Sequence, residues 1–192
     1  MITIIDDFVP TEIQDQLLHY VTNAQLPFFV NEGTVNERDV WTDVNTKDSI
    51  QLTHTIVNDG VQNPSWYHFQ ILWEQFVRRT GISKPAQRVK ANITFPLHGY
   101  ENTYSGAHTD HLSPNGITAI YYMNDSDGST ILFDRPEKQF SNVPRILKEL
   151  VRVTPKKGRL VYFDSHIIHS GQLPIVSQFR CVVNLNMYER TV

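Results

Sequence analysis

From residue 88 to residue 188 the chain is a succession of short apolar runs separated by Gly, Pro, Asn and Asp, and this rhythm leaves few folds open. The runs are 88–95 (RVKANITF), 105–110, 116–123 (GITAIYYM), 129–133, 150–154 (LVRVT), 159–163 (RLVYF), 167–170 and 179–188 (FRCVVNLNMY). Each has the length, the β-branched and aromatic content and the flanking turn residues of a strand. The spacing does not fit strands alternating with crossover helices; one short helix is expected near 143–150. A mainly β fold follows: two sheets packed as a sandwich or jelly roll, with helices on the N-terminal side.

The first 84 residues supply those helices. ITII at 2–5 reads as a strand, and Thr11-x-x-Gln14 as a capping box opening a helix with Ile13, Leu17 and Val21 on one face. A second helix starts at Pro64 and Ser65, carries Trp66, Phe69, Trp73, Phe76 and Val77 as its apolar stripe, and stops at Gly81. Between them, 28–64 shows no sustained periodicity beyond two β-like pieces, 40–44 and 51–57. It reads as a surface connection, as a packed extension that buttresses one sheet with Trp41 as its anchor, or as a cover over a pocket, since long ordered loops often serve as lids. As part of a cover, Trp41 is the residue expected to touch substrate.

Length and charge narrow the function. A chain of 192 residues makes one domain, divided here into support and lid at 1–84 and core at 85–192. Seventeen basic against twenty acidic residues, a net charge of -3, excludes a generic nucleic-acid binder. The single cysteine, Cys181, forbids an intrachain disulfide. MITIIDDF carries acids where a leader peptide needs bases, and no apolar run approaches about 18 residues, so a soluble, cytoplasmic protein without a membrane span is expected. No glycine-rich phosphate loop is present.

Three elements carry chemistry. His108-Thr109-Asp110 puts an imidazole and a carboxylate at i and i+2, on one face of a strand, where both can grip one cation. A third ligand must come from elsewhere, and FDSHIIHSG offers His166 and His169. They sit three apart, so on a strand only one of them points at a given metal. Two imidazoles and one carboxylate leave a face of the octahedron open, the arrangement of non-haem Fe(II) oxygenases. Arg180 begins the last strand. An arginine inside a barrel needs an anion, and its planar fork suits a ligand carboxylate.

The chain resembles the Fe(II)- and 2-oxoglutarate-dependent dioxygenases, in particular the prolyl 4-hydroxylase-like branch. The resemblance rests on HTD at 108–110, ITAIYYMN at 117–124, DGSTILF at 127–133, VRVTPKKGRLVYFDS at 151–165, HSG at 169–171 and FR at 179–180, with IIDDFVPTEIQDQLL at the start. It implies a double-stranded β-helix, a cupin-like jelly roll. It also implies a metal site of His108, Asp110 and His169, and 2-oxoglutarate held by Arg180, with Tyr122 supporting the same cosubstrate. Asn184 and Asn186 share a face with Arg180 on a regular strand and are candidates for the cosubstrate, a water or the substrate. Tyr104 is a further candidate for the pocket wall. The sequence departs from the branch in having Gly128-Ser129 where paired glycines are usual. Within 95–104 no residue clearly stands for the pocket tyrosine: His98 has the distance, and Phe95 or Tyr100 could replace it.

The activity implied is hydroxylation of an unactivated C–H bond with Fe(II), 2-oxoglutarate and dioxygen, releasing succinate and carbon dioxide, with ascorbate as a stimulant. The branch points to a peptidyl prolyl or other peptidyl side chain; a free amino acid or small metabolite is the alternative. Nucleic acid is not expected as a substrate. A non-catalytic metal-binding jelly roll is the reading outside enzymes, and it leaves Arg180 without a reason. Oligomeric state stays open.

Overall fold

The computed structural model describes residues 1–23, 26–33, 40–41, 44–110, 115–134 and 147–189, with backbone alone at 40–41. Strand β1 (Ile2–Ile5) is followed by helix α1 (Thr11–Thr22), then β2 (Phe29–Asn31), β3 (Val40–Trp41), β4 (Gln51–Asn58) and β5 (Val61–Gln62). Helix α2 (Trp66–Thr80) leads into β6 (Ala86–Thr94), β7 (Ala107–His108), β8 (Ile117–Tyr122) and β9 (Thr130–Phe133). The chain closes with β10 (Glu149–Val153), β11 (Leu160–Asp164), β12 (Ile168–Gly171) and β13 (Arg180–Met187). One sheet runs β1-β11-β8-β13-β6-β4-β2, with β5 hairpinned to β4; the other runs β10-β9-β12-β7-β3. The described strand pairs are antiparallel, and the two sheets face each other as a double-stranded β-helix.

Each central strand of the larger sheet has two different faces. On β13, Cys181, Val183, Leu185 and Met187 join the main apolar cluster beneath the helices, while Arg180, Val182, Asn184 and Asn186 alternate with them toward the second sheet. On β6, Val89, Ala91 and Ile93 are buried in that cluster, and Arg88, Lys90, Asn92 and Thr94 face the other way. Leu17 and Val21 of α1 and Phe69, Leu72 and Phe76 of α2 seal the apolar face. A smaller cluster, including Ile120, Tyr122, Leu132, Phe163 and Val182, fills one end of the space between the sheets.

The helix boundaries differ in detail from the sequence reading. Thr11 is the first helical residue rather than the cap, Pro10 holds the N-cap position, and no side chain caps the end. The Ile13 and Gln14 N–H groups both donate to the Pro10 carbonyl, at 2.9 and 3.0 Å, so the donor a box would serve is already satisfied. Gln14 is drawn inward instead: its Nε2 donates to the Val9 carbonyl at 2.9 Å. Gly158 lies under that amide with φ 79°, and a Cβ there would come within 2.4 Å of it, so the β10–β11 turn must carry glycine. Helix α2 ends as expected, with Gly81 at φ 73° donating its N–H to Val77.

Two other expectations change. Residues 149–150 are strand, not helix, and belong to β10, which pairs with β9; 147–148 are not helical either, and the rest of that expected helix, 143–146, lies outside the described residues. Within 28–64, the β-like piece expected at 51–57 is present as Gln51–Asn58, but it is an interior strand between β2 and β6 and so a wall of the barrel, neither a surface connection nor a cover. Its turn, Asp59-Gly60, has φ 51° and 74°, the two left-handed residues of a tight hairpin. Residues 34–39 and 42–43, and the Trp41 side chain on which the cover reading turned, lie outside the described residues.

Candidate active site

His108 and His169 come from strands that are neighbours in space and 61 positions apart in sequence. The β7–β12 register sets them directly opposite each other, their ring centroids 4.5 Å apart. Both Nδ1 atoms are engaged by main chain, His108 with Gly106 O at 3.0 Å and His169 with Ile167 O at 3.1 Å. As N–H donors there, the rings present bare Nε2 lone pairs to the centre. Asp110, two residues beyond His108, meets both: Oδ1 lies 3.7 Å from His108 Nε2 and Oδ2 3.4 Å from His169 Nε2. One donor atom from each of the three falls within 4.8 Å of the others. Donors bound at about 2.1 Å and at right angles lie about 3 Å apart, so the set fits one octahedral cation.

The electrostatics suit the same role. Burial alone would raise the Asp110 carboxyl, but the two imidazoles and the Thr118 hydroxyl outweigh it and hold the group well below the usual carboxylate range. Burial pushes His169 down to about 4, against the pull of Asp110, so the imidazole is neutral near pH 7 and can donate its lone pair. Thr118 Oγ1 donates to Asp110 Oδ2 at 2.7 Å, Asn186 Nδ2 donates to Thr118 Oγ1 at 3.4 Å, and Arg88 Nη1 donates to Asn186 Oδ1 at 3.3 Å. Asn186 is therefore committed behind the carboxylate, orienting it through Thr118. His166 sits exposed in the turn before β12 and takes no part.

Arg180 lies in the same cavity, 7 % exposed, with no carboxylate partner among the described residues. Its Nε donates to Gly128 O at 2.7 Å and its Nη2 to Thr130 Oγ1 at 2.8 Å. Tyr122 OH also donates to Thr130 Oγ1, at 2.8 Å, so Tyr122 bears on the arginine through Thr130. Both lone pairs of that hydroxyl are occupied, and its proton is left to donate into the cavity it lines. A Cβ on Gly128 would meet Gln172 O at 2.7 Å and Pro174 N at 2.9 Å, so this glycine of Gly128-Ser129 is required; Ser129 O accepts the Gln172 N–H.

Asn184 faces the cavity with an Oδ1 that has no hydrogen-bond partner. Tyr104 is turned to the far side of the smaller sheet, its ring 5.0 Å from Phe133. None of the three candidates for the pocket tyrosine lines the cavity. His98 is fully exposed, Phe95 is exposed, and Tyr100 donates its hydroxyl to Asp48 O; Thr94, in register with Arg180, occupies that wall. Sequence reasoning missed Arg88, Lys90, Asn92 and Thr94. Their signal was the strict polar–apolar alternation of RVKANIT, which ordinarily marks a solvated face.

The profile of the 2OG-Fe(II) oxygenase superfamily matches residues 95–188, and together with the fold and the His-Asp-His cluster this match supports that superfamily for the chain. No match was found among curated protein sequences. Solved structures with the same fold share little sequence. A 2OG-Fe(II) oxygenase-family oxidoreductase from Burkholderia pseudomallei is 12% identical, with a TM-score of 0.64 over 100% of this chain and 87% of its own. The prolyl hydroxylase of Trichoplax adhaerens, in complex with a hypoxia inducible factor peptide fragment, is 16% identical, with a TM-score of 0.58 over 97% and 83%. The alpha-ketoglutarate-dependent epimerase SnoN of nogalamycin biosynthesis is 12% identical, with a TM-score of 0.60 over 97% and 78%.

Proposed function

We propose that this 2OG-Fe(II) oxygenase is a hydroxylase, using Fe(II), 2-oxoglutarate and dioxygen to convert an unactivated C–H bond to an alcohol. The observation that carries the reading is the pairing, in one cavity, of a two-histidine, one-carboxylate cluster with a buried arginine that has no protein anion among the described residues. A site that only bound metal would have no use for the arginine.

His108, Asp110 and His169 would hold the iron. Iron with 2-oxoglutarate and dioxygen supplies the oxidising power, the cosubstrate being split to succinate and carbon dioxide. The protein's own part is positional. The Gly106 and Ile167 carbonyls fix the imidazole tautomers, and Thr118 fixes the carboxylate. Arg180 and the free proton of Thr130 offer two donors to the far carboxylate of 2-oxoglutarate, with Tyr122 steadying Thr130 from behind. Ile120 and Val182 line the cavity between these poles and keep it partly dry, which strengthens each charged contact.

Two target classes compete. A peptidyl prolyl side chain is supported by the fold shared with prolyl hydroxylases; a free amino acid or small metabolite is supported by the cationic wall of the cavity. The test is succinate release under Fe(II), ascorbate and oxygen against proline-containing peptides and free amino acids. Arg180→Ala should weaken metal-dependent 2-oxoglutarate binding by about 30-fold or more, the scale for a buried charge losing its partner, while iron still binds. Unchanged 2-oxoglutarate affinity in that variant would remove Arg180 from the role, and binding without any turnover would favour the non-catalytic reading.

A further inference from the structure

We propose that Lys90 is the anchor of a second anion site, and that the substrate to be oxidised is a small carboxylic acid bearing an N–H or O–H donor beside its carboxylate. The proposal rests on the oxygenase reading above and names the substrate class of that same site.

Lys90 sits in the middle of β6, in register with Asn184 of β13 on one side and Thr55 of β4 on the other. It is only 7 % exposed and lines the cavity that holds His108, Asp110 and His169. Among the described residues its ammonium makes no hydrogen bond and no ion pair. The carboxylate that shares the cavity, Asp110, is already taken by two imidazoles and Thr118. A buried ammonium with three donors and no acceptor is expensive, and the natural resolution is a ligand anion.

The charge balance of the loaded cavity points the same way. Among the described residues, Arg88, Lys90 and Arg180 bring three positive charges to its lining, and Asp110 one negative. Fe(II) and the 2-oxoglutarate dianion cancel each other, so a surplus of two positive charges remains after both are bound. A neutral peptide segment would leave that surplus buried. A carboxylate reaching Lys90 pairs with that charge directly, and a 2-hydroxy acid, which carries no compensating ammonium, also neutralises half of the surplus and leaves the Arg88 charge spread over its bond to Asn186.

The neighbours of Lys90 add the donor requirement. Asn92 Oδ1 and Thr94 Oγ1, on the same face of β6, and Asn184 Oδ1 beside Lys90 have no hydrogen-bond partner among the described residues. Amide oxygens accept only, so two such groups around an ammonium match a molecule whose carboxylate meets Lys90 and whose adjacent amine or hydroxyl donates to the asparagines. Free α-amino acids and 2-hydroxy acids have this pattern. An internal peptide residue has no free carboxylate and only one N–H. Arg180 is set apart from Lys90 along the sheet, paired across from Thr94 where Lys90 pairs with Asn184, so the two cations serve two different anions.

The test is calorimetry on the full chain saturated with Zn(II) and N-oxalylglycine, an unreactive 2-oxoglutarate analogue. The titrants are free L-amino acids and 2-hydroxy acids, each beside its methyl ester, and blocked peptides. At least one free acid should bind, and its ester should bind about 30-fold more weakly or worse, the loss expected when a buried charge is left unpaired. Lys90→Met should reduce the acid to the level of its ester without weakening the ester further, and Lys90→Gln should do the same if Met perturbs packing. N-oxalylglycine affinity should change less than about twofold in both variants, as expected of independent sites. Esters that bind as well as acids, a variant that keeps full acid affinity, or a panel in which no free acid binds would each overturn the assignment. Failure of N-oxalylglycine to bind the unaltered, metal-loaded chain would instead overturn the oxygenase reading beneath it.

Discussion

The two faces of the larger sheet are built from the same strands and obey opposite rules. On the helix side, Val89, Ala91 and Ile93 of β6 interlock with Cys181, Val183, Leu185 and Met187 of β13 under Phe69, Leu72 and Phe76. On the cavity side the same strands present Arg88, Lys90, Asn92 and Thr94 opposite Asn186, Asn184, Val182 and Arg180. The first face is dry and close-packed, and its apolar burial drives folding. The second is almost as buried, yet among the described residues three of its side-chain oxygens lack partners and its three cations lack anions. Such a face costs stability and is retained where ligands complete it. Stability therefore belongs to one side of a strand and chemistry to the other, with only the thickness of the sheet between them.

The difference can be broken first at the metal. His169→Ala should abolish stoichiometric Fe(II) binding, measured anaerobically by equilibrium dialysis, whereas exposed His166→Ala should keep it. The reverse outcome would mean the cluster is misassigned. Next comes the dry face. Leu72→Ala should lower the unfolding free energy in urea by about 2–5 kcal/mol, the range for a fully buried leucine. Residual protein should bind metal as before. A loss under about 1 kcal/mol would show that the helix side is less tightly packed than its burial implies.

A smaller effect of opposite sign is expected on the cavity face. Burial, reinforced by the Arg88 charge and opposed by Asp110, brings Lys90 down to about 8 from 10.5. The unfolded chain therefore holds this proton more tightly than the folded one, which costs stability below pH 8. The cost fades as pH rises from about 8 through 10.5, where both states become neutral. Lys90→Met should raise the melting temperature of the ligand-free protein at pH 7, and the gain should shrink across that window. A variant that melts lower at pH 7 would make Lys90 a packing residue.

The smallest effect is an absence of reaction. Cys181 lies on the dry face next to Arg180, and burial pushes its thiol up to about 12. Iodoacetamide at pH 8 should leave it unmodified by mass spectrometry unless urea is added, because the thiolate is the reacting form. Rapid labelling of the folded protein would show that the helix side opens to water.

Much of this molecule is legible in its amino-acid order alone. Strand and turn chemistry locates the core strands, HTD and HSG mark the three residues of the candidate metal cluster, and the placement of Arg180 at the head of the last strand marks the second pole. These are local signals: a two-residue period, a turn residue, a pair on one face. The β-like piece at 51–57 and the Asp59-Gly60 turn after it are local signals too, and they locate β4, though not its place inside the sheet.

What the sequence cannot supply is which side of an alternating strand faces water. RVKANIT reads as half-solvated, and the pattern is the same whether its polar face meets solvent or a second sheet. Only closure of β7, β9 and β12 over β6 and β13 turns Lys90 from a surface residue into a buried charge. Likewise, nothing local says that His166 falls in a turn while His169 lands opposite His108, since that choice is made by the register of two strands 61 residues apart. Alternation and turns are fixed by each residue's own backbone and its nearest neighbours. Register and enclosure are fixed by contacts between distant segments, whose free energy exists only once the sheets have met.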